Sequence, residues 1–175
     1  MNFNEIRANW KIINGNIEEI NIGVFNKIFG GYDVLRLGKQ LHSVQDFYAH
    51  SNYVELYIEY YRSKNDDNLP ALGEIPTYDE VMDNAEKHAD FINKYLKKNL
   101  KTGEFHAVDY VNPLVDDHQK TNEQGDVHHD DLAKDNPEMG KKVTNKRGKS
   151  INTHDAARDV ATRHSAKIVK KKLSK

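Results

Sequence analysis

Leu41-His42-Ser43-Val44-Gln45-Asp46-Phe47-Tyr48-Ala49-His50-Ser51-Asn52 is the stretch that decides the fold. It sets His42, Asp46 and His50 at successive intervals of four within an apolar, aromatic-rich run. On an α-helix a step of four stays near one face. The spacing therefore predicts a helix carrying three ligand-type side chains on one flank of a buried segment. Imidazole and carboxylate groups enter such surroundings only when paired or metal-bound. Working outward, the helix is predicted from about Asp33 to Tyr61, with Leu35, His42, Asp46, Ala49, Tyr53 and Leu56 facing inward. Ser51-Asn52 should loosen it, because both side chains can bond to nearby backbone.

The rest of the chain reads as helix with a long irregular middle. Residues 4–14 and 17–29 are predicted helical, divided at Gly15-Asn16 and closed by Gly30-Gly31. Thr77-Tyr78-Asp79-Glu80 is a capping box. It opens a predicted helix whose apolar stripe is Val81, Ala85, His88, Ala89, Ile92 and Leu96, with His88 read as a core or groove histidine. From 103 to 148 the periodicity fails, and Asn112-Pro113, Gly125, Asn136-Pro137 and Gly140 punctuate the segment. So long a loop usually has a function or is disordered. Its His106, His118, His128, His129 and seven aspartates favour a function. A last helix is predicted from Ser150 or Asn152 almost to the end, with Ala157, Val160, Ala161 and Ile168 inward and His154 and His164 flanking that stripe. The fold class is thus all-α: a helical bundle around a buried metal site, formed as a single domain over 1–175, with an irregular segment at 103–148 and a basic final section at 141–175.

Composition narrows the chemistry. The 175 residues contain no cysteine, so neither a disulfide framework nor a thiolate metal site is available. Any metal would be held by nitrogen and oxygen ligands. The N-terminus lacks the basic and apolar regions of a signal peptide, and no apolar run approaches the roughly 18 residues of a membrane span. The net charge of −1 conceals a polarised chain: residues 1–140 carry 14 Lys/Arg against 25 Asp/Glu, and 141–175 carry 12 against 2. The basic section suits nucleic acid, anionic lipid or, foremost, the acidic body of its own fold.

The residues that could carry chemistry are His42 and Asp46 as a helix-borne ligand pair and His50 as ligand or outer partner. His129 could be a loop ligand beside Asp130-Asp131, and His154 a ligand at the start of the last helix. Asp130 could orient a ligand histidine or act as base, Arg158 could grip a phosphate, and Asp135 reads as a turn residue. Each has a structural alternative, as a satisfied core group or a solvated surface one. No cysteine nucleophile, nucleophile elbow, HExxH or phosphate-cradling glycine loop is present.

The run Leu37-Gly38-Lys39-Gln40-Leu41-His42 through Asn52 resembles the core segment of the zinc-dependent phospholipase C / S1-P1 nuclease superfamily. It is closest to the Het-C-like branch and to related domains at the ends of bacterial Rhs-type toxins. His129-Asp130-Asp131-Leu132-Ala133-Lys134-Asp135 and the alanine-rich helix from His154 to His164 are similar to further elements of those domains. The resemblance implies a helical phosphodiesterase using one or two zinc ions held by His42, Asp46, His50, His129 and His154. Metal-bound water would attack phosphorus, with Asp130 and Arg158 assisting. It further implies a phospholipid or nucleic-acid substrate, peripheral membrane contact, and an immunity or inhibitor protein as partner to a toxin. Such a domain would be secreted or delivered as part of a larger protein, and cytoplasmic if the chain is complete. The alternative is a non-catalytic helical module that binds a metal or a partner. A weaker third reading is a nucleic-acid-binding protein driven by residues 141–175.

Overall fold

Asn2 starts the first helix by a reciprocal cap. Its Oδ1 accepts from the backbone N–H of Asn4 and Glu5, while Glu5 Oε2 accepts from the Asn2 N–H at 2.7 Å, satisfying donors that a helix start otherwise leaves open. The computed structural model describes residues 2–22, 31–103 and 132–174. Helix α1 (Phe3–Glu19) runs straight through Gly15-Asn16, where the sequence predicts a break. Ile6, Trp10, Ile13 and Ile17 continue one apolar stripe across that point. Their burial outweighs the roughly 1 kcal/mol that glycine costs inside a helix.

Helix α2 (Gly31–His50) is followed at once by α3 (Tyr53–Lys64). The single helix predicted over 33–61 is therefore two, parted at Ser51-Asn52. The capping box at Thr77 is present as predicted, with Thr77 Oγ1 accepting from the Glu80 N–H and Glu80 Oε2 from the Thr77 N–H. The helix it opens is short: α4 (Tyr78–Asp83) ends in a turn, and α5 follows as Ala89–Phe91, a π-helical turn at Ile92–Leu96 and a closing Lys97–Asn99. Strands β1 (Lys142–Thr144) and β2 (Ser150–Asn152) form an antiparallel hairpin in register Val143↔Ile151. Its tip is closed by Asn145, whose Oδ1 accepts from the N–H of Arg147 and Lys149, and by Gly148 at φ +78°. Helix α6 (Thr153–Leu173) leaves β2 directly, capped by Asn152. The chain is mainly helical, as predicted, but part of the predicted irregular segment is this hairpin.

The core is aromatic. Trp10 lies 5.2 Å from Tyr78 in a stacked pair and 5.4 Å from Phe47 edge-on, and Tyr53 joins this group to Phe91. Ala157, Val160, Ala161 and Ile168 of α6 are buried as predicted, and Ala156 is buried beside them; the alanines allow the close approach of α6 to α2.

The two charge halves meet as self-complementarity predicts. Lys171 pairs with Glu18, Lys167 with Glu80, and Arg147 with Asp66 at 2.8 Å. Asp66 and Asp67 both adopt positive φ; the Lys146 N–H and the Arg62 guanidinium hold the Asp67 carboxylate there and depress its pKa. Exposed pairs of this kind contribute little each. Lys172 is different: its buried Nζ donates to Glu18 O and Ile20 O, both at 3.0 Å, closing the C-terminal end of α1. Lys172→Met is expected to cost about 1–2 kcal/mol in denaturant unfolding. An unchanged midpoint would show that these bonds exchange evenly with water.

Candidate functional site

The break between α2 and α3 frees backbone carbonyls that a continuous helix would have satisfied. Segment 99–103 takes up the His50 carbonyl and pairs with Asn52. Gly103 N donates to His50 O at 3.0 Å, Thr102 Oγ1 donates to the same carbonyl, and Asn52 is tied on both sides to Asn99 and Lys101. Ser51 Oγ accepts from the Tyr53 N–H and so helps start α3. The Ser51 carbonyl is satisfied from elsewhere: Lys134 Nζ donates to it at 2.5 Å.

Lys134 is only 3% exposed. Its ammonium also donates to Leu132 O at 2.8 Å and pairs with Glu55 Oε1 at 3.3 Å. Burial lowers the Lys134 pKa, and the charge and hydrogen bond of Glu55 offset part of that shift. Backbone and neighbour carry the connections further. Lys134 O lies 2.6 Å from Nδ1 of the buried His154, and Asp135 reaches His50 Nε2 at 3.3 Å. A carbonyl only accepts, so His154 Nδ1 bears the proton and Nε2 carries the lone pair. Among the described residues Nε2 has no hydrogen-bond partner, and it keeps contact with solvent. Gly140 packs against the main chain at His154: a β-carbon there would stand 2.7 Å from His154 Cβ and 2.8 Å from His154 N.

Three stretches that the sequence singles out thus meet at one place: His50-Ser51, Lys134-Asp135 and His154. Lys134 and Glu55 were not among the predicted site residues. The lysine lies inside the quoted run ending at Asp135, but its partner at Ser51 is 83 positions away. Asp135 was read as a turn residue. It does lead into a turn, in which Asn136 Oδ1 accepts from the Glu138 and Met139 N–H groups, while its half-exposed carboxylate also faces His50.

The other predicted site residues are placed differently. His42, expected inward, has a side chain 60% exposed, and it pairs with Asp46 at 3.3 Å as a surface i,i+4 contact. Helix phase explains the correction. Leu37, Val44, Phe47 and Tyr48 set the buried face of α2. At 3.6 residues per turn, His42 and Asp46 fall on nearly the opposite side, and Leu35 with them. Arg158 is exposed and lies 3.6 Å from Asp155. His129 and Asp130, with His106, His118, His128 and Asp131, lie outside the described residues. His88 is half-buried, and that burial lowers its pKa.

Among the described residues no group of three or more His, Cys, Asp or Glu side chains is placed to hold a metal ion. His42–Asp46 and His50–Asp135 stand as separate pairs, and the held nitrogen of His154 faces a carbonyl. The expected zinc centre, and with it the metal-dependent phosphodiesterase and the superfamily resemblance, is overturned by that arrangement. So too is the metal-binding form of the alternative module.

A second polar cluster sits within the aromatic core. Tyr48 Oη accepts from the Tyr78 N–H at 2.8 Å, so its own proton goes to His164 Nδ1 at 2.9 Å. His164 Nε2–H then donates to Asp79 at 3.2 Å, and Asn14 donates to the same carboxylate. Burial alone raises the Asp79 pKa, but the bonds from His164 and Asn14 and the charge of Lys167 outweigh it and bring the carboxyl below its ordinary value. Trp10 stacks on His164 at 5.3 Å. Tyr48, His164, Asp79 and Asn14 form one run of hydrogen bonds, so this cluster is a structural tie among α1, α2, α4 and α6.

No protein-family model, curated protein or solved structure matches the chain. Among the described residues no helix is long and apolar enough to cross a membrane.

Proposed function

We propose that the site joining His50, Asp135 and His154 is a metal-independent general acid–base centre, with His154 as the group that moves the proton. One observation carries the reading. A buried imidazole is locked by its Nδ1–H to Lys134 O and presents a bare Nε2 lone pair where three distant stretches meet. Nε2 is left open to solvent, where a water can reach it, and a general base needs that arrangement. Nε2 would take a proton from water as the water attacks an ester carbonyl, and return it to the departing alcohol. The Asp135 carboxylate, 3.3 Å from His50 Nε2, adds a negative charge to the same cluster. Exposed Lys141 and Lys142 lie close by, since Lys141 N donates to Thr153 Oγ1, and they suit an anionic acyl substrate.

The test is turnover of p-nitrophenyl acetate and of the half-ester p-nitrophenyl succinate by the native chain and by His154→Gln and Asp135→Asn. Loss of His154 is expected to lower the rate about 10²–10⁴-fold, with the anionic ester favoured by the native chain. Equal rates for the native chain and His154→Gln on both esters would sink the reading.

A further inference from the structure

The ammonium of Lys134 is buried where no substrate can meet it, yet it costs desolvation to keep it there. Its three N–H bonds face three acceptors, namely Ser51 O, Leu132 O and Glu55 Oε1. Three donors are available only in the charged form. The first acceptor lies at the carboxyl end of α2, where unsatisfied carbonyls concentrate negative partial charge and a cation is favoured. Nothing in this arrangement leaves Lys134 a nucleophile or a substrate contact.

What the ammonium does fix is the backbone behind it. The carbonyl of the same residue is the one that accepts from His154 Nδ1–H, and the next residue carries the carboxylate that faces His50. We propose that Lys134 is the positioning residue of this site: by capping α2 it sets, through its own main chain, both the tautomer of His154 and the place of Asp135. This inference deepens the acid–base reading and rests on it. It also accounts for a charge buried in a loop where an apolar side chain would pack at lower cost. The side chain reaches back to the α2–α3 break, and the main chain presents its carbonyl to α6. One residue therefore relates three elements that sequence separates by 83 and 20 positions.

Glu55 completes the device. Its Oε1 neutralises the ammonium, and its Oε2 is buried with no hydrogen-bond partner. Removing the lysine would therefore leave a half-buried carboxylate and two backbone carbonyls to find new donors. The loop would have to move to supply water to them, and its movement carries Lys134 O away from His154.

Nitrogen-15 correlation spectra of the histidine rings, recorded at pH 8.5, read this directly. The native chain is expected to show His154 with the proton on Nδ1. In Lys134→Met the ring is expected to pass to the Nε2–H form or to a mixture, with ester turnover falling about a hundredfold through misplacement of the base. Lys134→Gln keeps two N–H donors without the charge and carries the same test if the methionine variant does not fold. A folded variant at Lys134 with the native His154 tautomer would overturn the proposal. The two readings fail separately. Unchanged turnover in His154→Gln removes the acid–base function, whereas a retained tautomer in Lys134→Met removes only the positioning role.

Discussion

His164→Ala is expected to lower stability by about 3–5 kcal/mol, the sum of a cavity and a stranded buried hydroxyl. The imidazole is 1% exposed and stacked on Trp10, so its removal leaves a slot that the surrounding rings cannot close by changing rotamer. Tyr48 Oη still accepts from the Tyr78 N–H, but its proton loses the only acceptor that the described geometry gives it. Asp79 loses the partner that helps hold its pKa down. The pH dependence follows from that sign. A carboxyl whose folded pKa is depressed adds stability above its unfolded pKa, near 3.9, and the contribution fades as pH falls through the lower folded value. The stability difference between the native chain and His164→Ala should therefore be largest near neutral pH and shrink as pH falls through the folded Asp79 value. Denaturant midpoints from pH 3 to 7 check both statements. A double-mutant cycle with Tyr48→Phe should be strongly non-additive, because the two side chains share one bond. Additive losses, or a neutral-pH loss below about 1 kcal/mol, would show that the Tyr48–His164–Asp79 chain is incidental to stability.

Local signals in the sequence carry over to the structure where a single element decides the outcome. The capping box at Thr77 and the alanine stripe of α6 are both read correctly, because each depends on neighbours within a turn or two. Gly15-Asn16 misleads for the opposite reason: four isoleucine and tryptophan side chains buried on one face of α1 override a local breaker. The helix predicted after Thr77 is divided because residues 84–88 turn and α5 takes up a π-helical turn, neither of which apolar spacing records.

The decisive misreading concerns phase. The interval of four among His42, Asp46 and His50 is real, but an interval says only that residues share a flank, not which flank is buried. Leu37, Val44, Phe47 and Tyr48 bring far more apolar area and so set the inward direction of α2. His50 reaches the candidate site because it ends the helix, where the chain turns and segment 99–103 packs against it. The structure brings His50-Ser51, Lys134-Asp135 and His154, which the sequence holds in three separate runs, to one place. Their pairing could not be read, since it depends on a carbonyl, an ammonium and an imidazole brought together by tertiary contact.

Gly140→Ala should disturb that site more than any other single-methyl change in the loop. Gly140 does not occupy the left-handed region, so the glycine is required by space and not by backbone conformation. The added β-carbon would meet the Asn152 side-chain oxygen and would stand 2.7 and 2.8 Å from His154 Cβ and N. A rotamer change can move the asparagine, but the other two contacts are to main chain and to the root of a side chain. Loop or helix start must shift, at a cost of about 1–3 kcal/mol. The asparagine involved is itself the cap of α6, accepting from the His154 N–H at 2.8 Å, so moving it weakens the start of the helix that bears the imidazole. Gly148→Ala provides the contrast. Gly148 has φ +78° with open space around it, so alanine there should cost about 1–2 kcal/mol by conformation alone and leave His154 unchanged. Both variants are expected to unfold earlier in denaturant, but only Gly140→Ala should alter the His154 ring resonances and ester turnover. Native His154 resonances in Gly140→Ala would mean that the loop can yield without moving the imidazole, and that the close packing seen here does not hold the site.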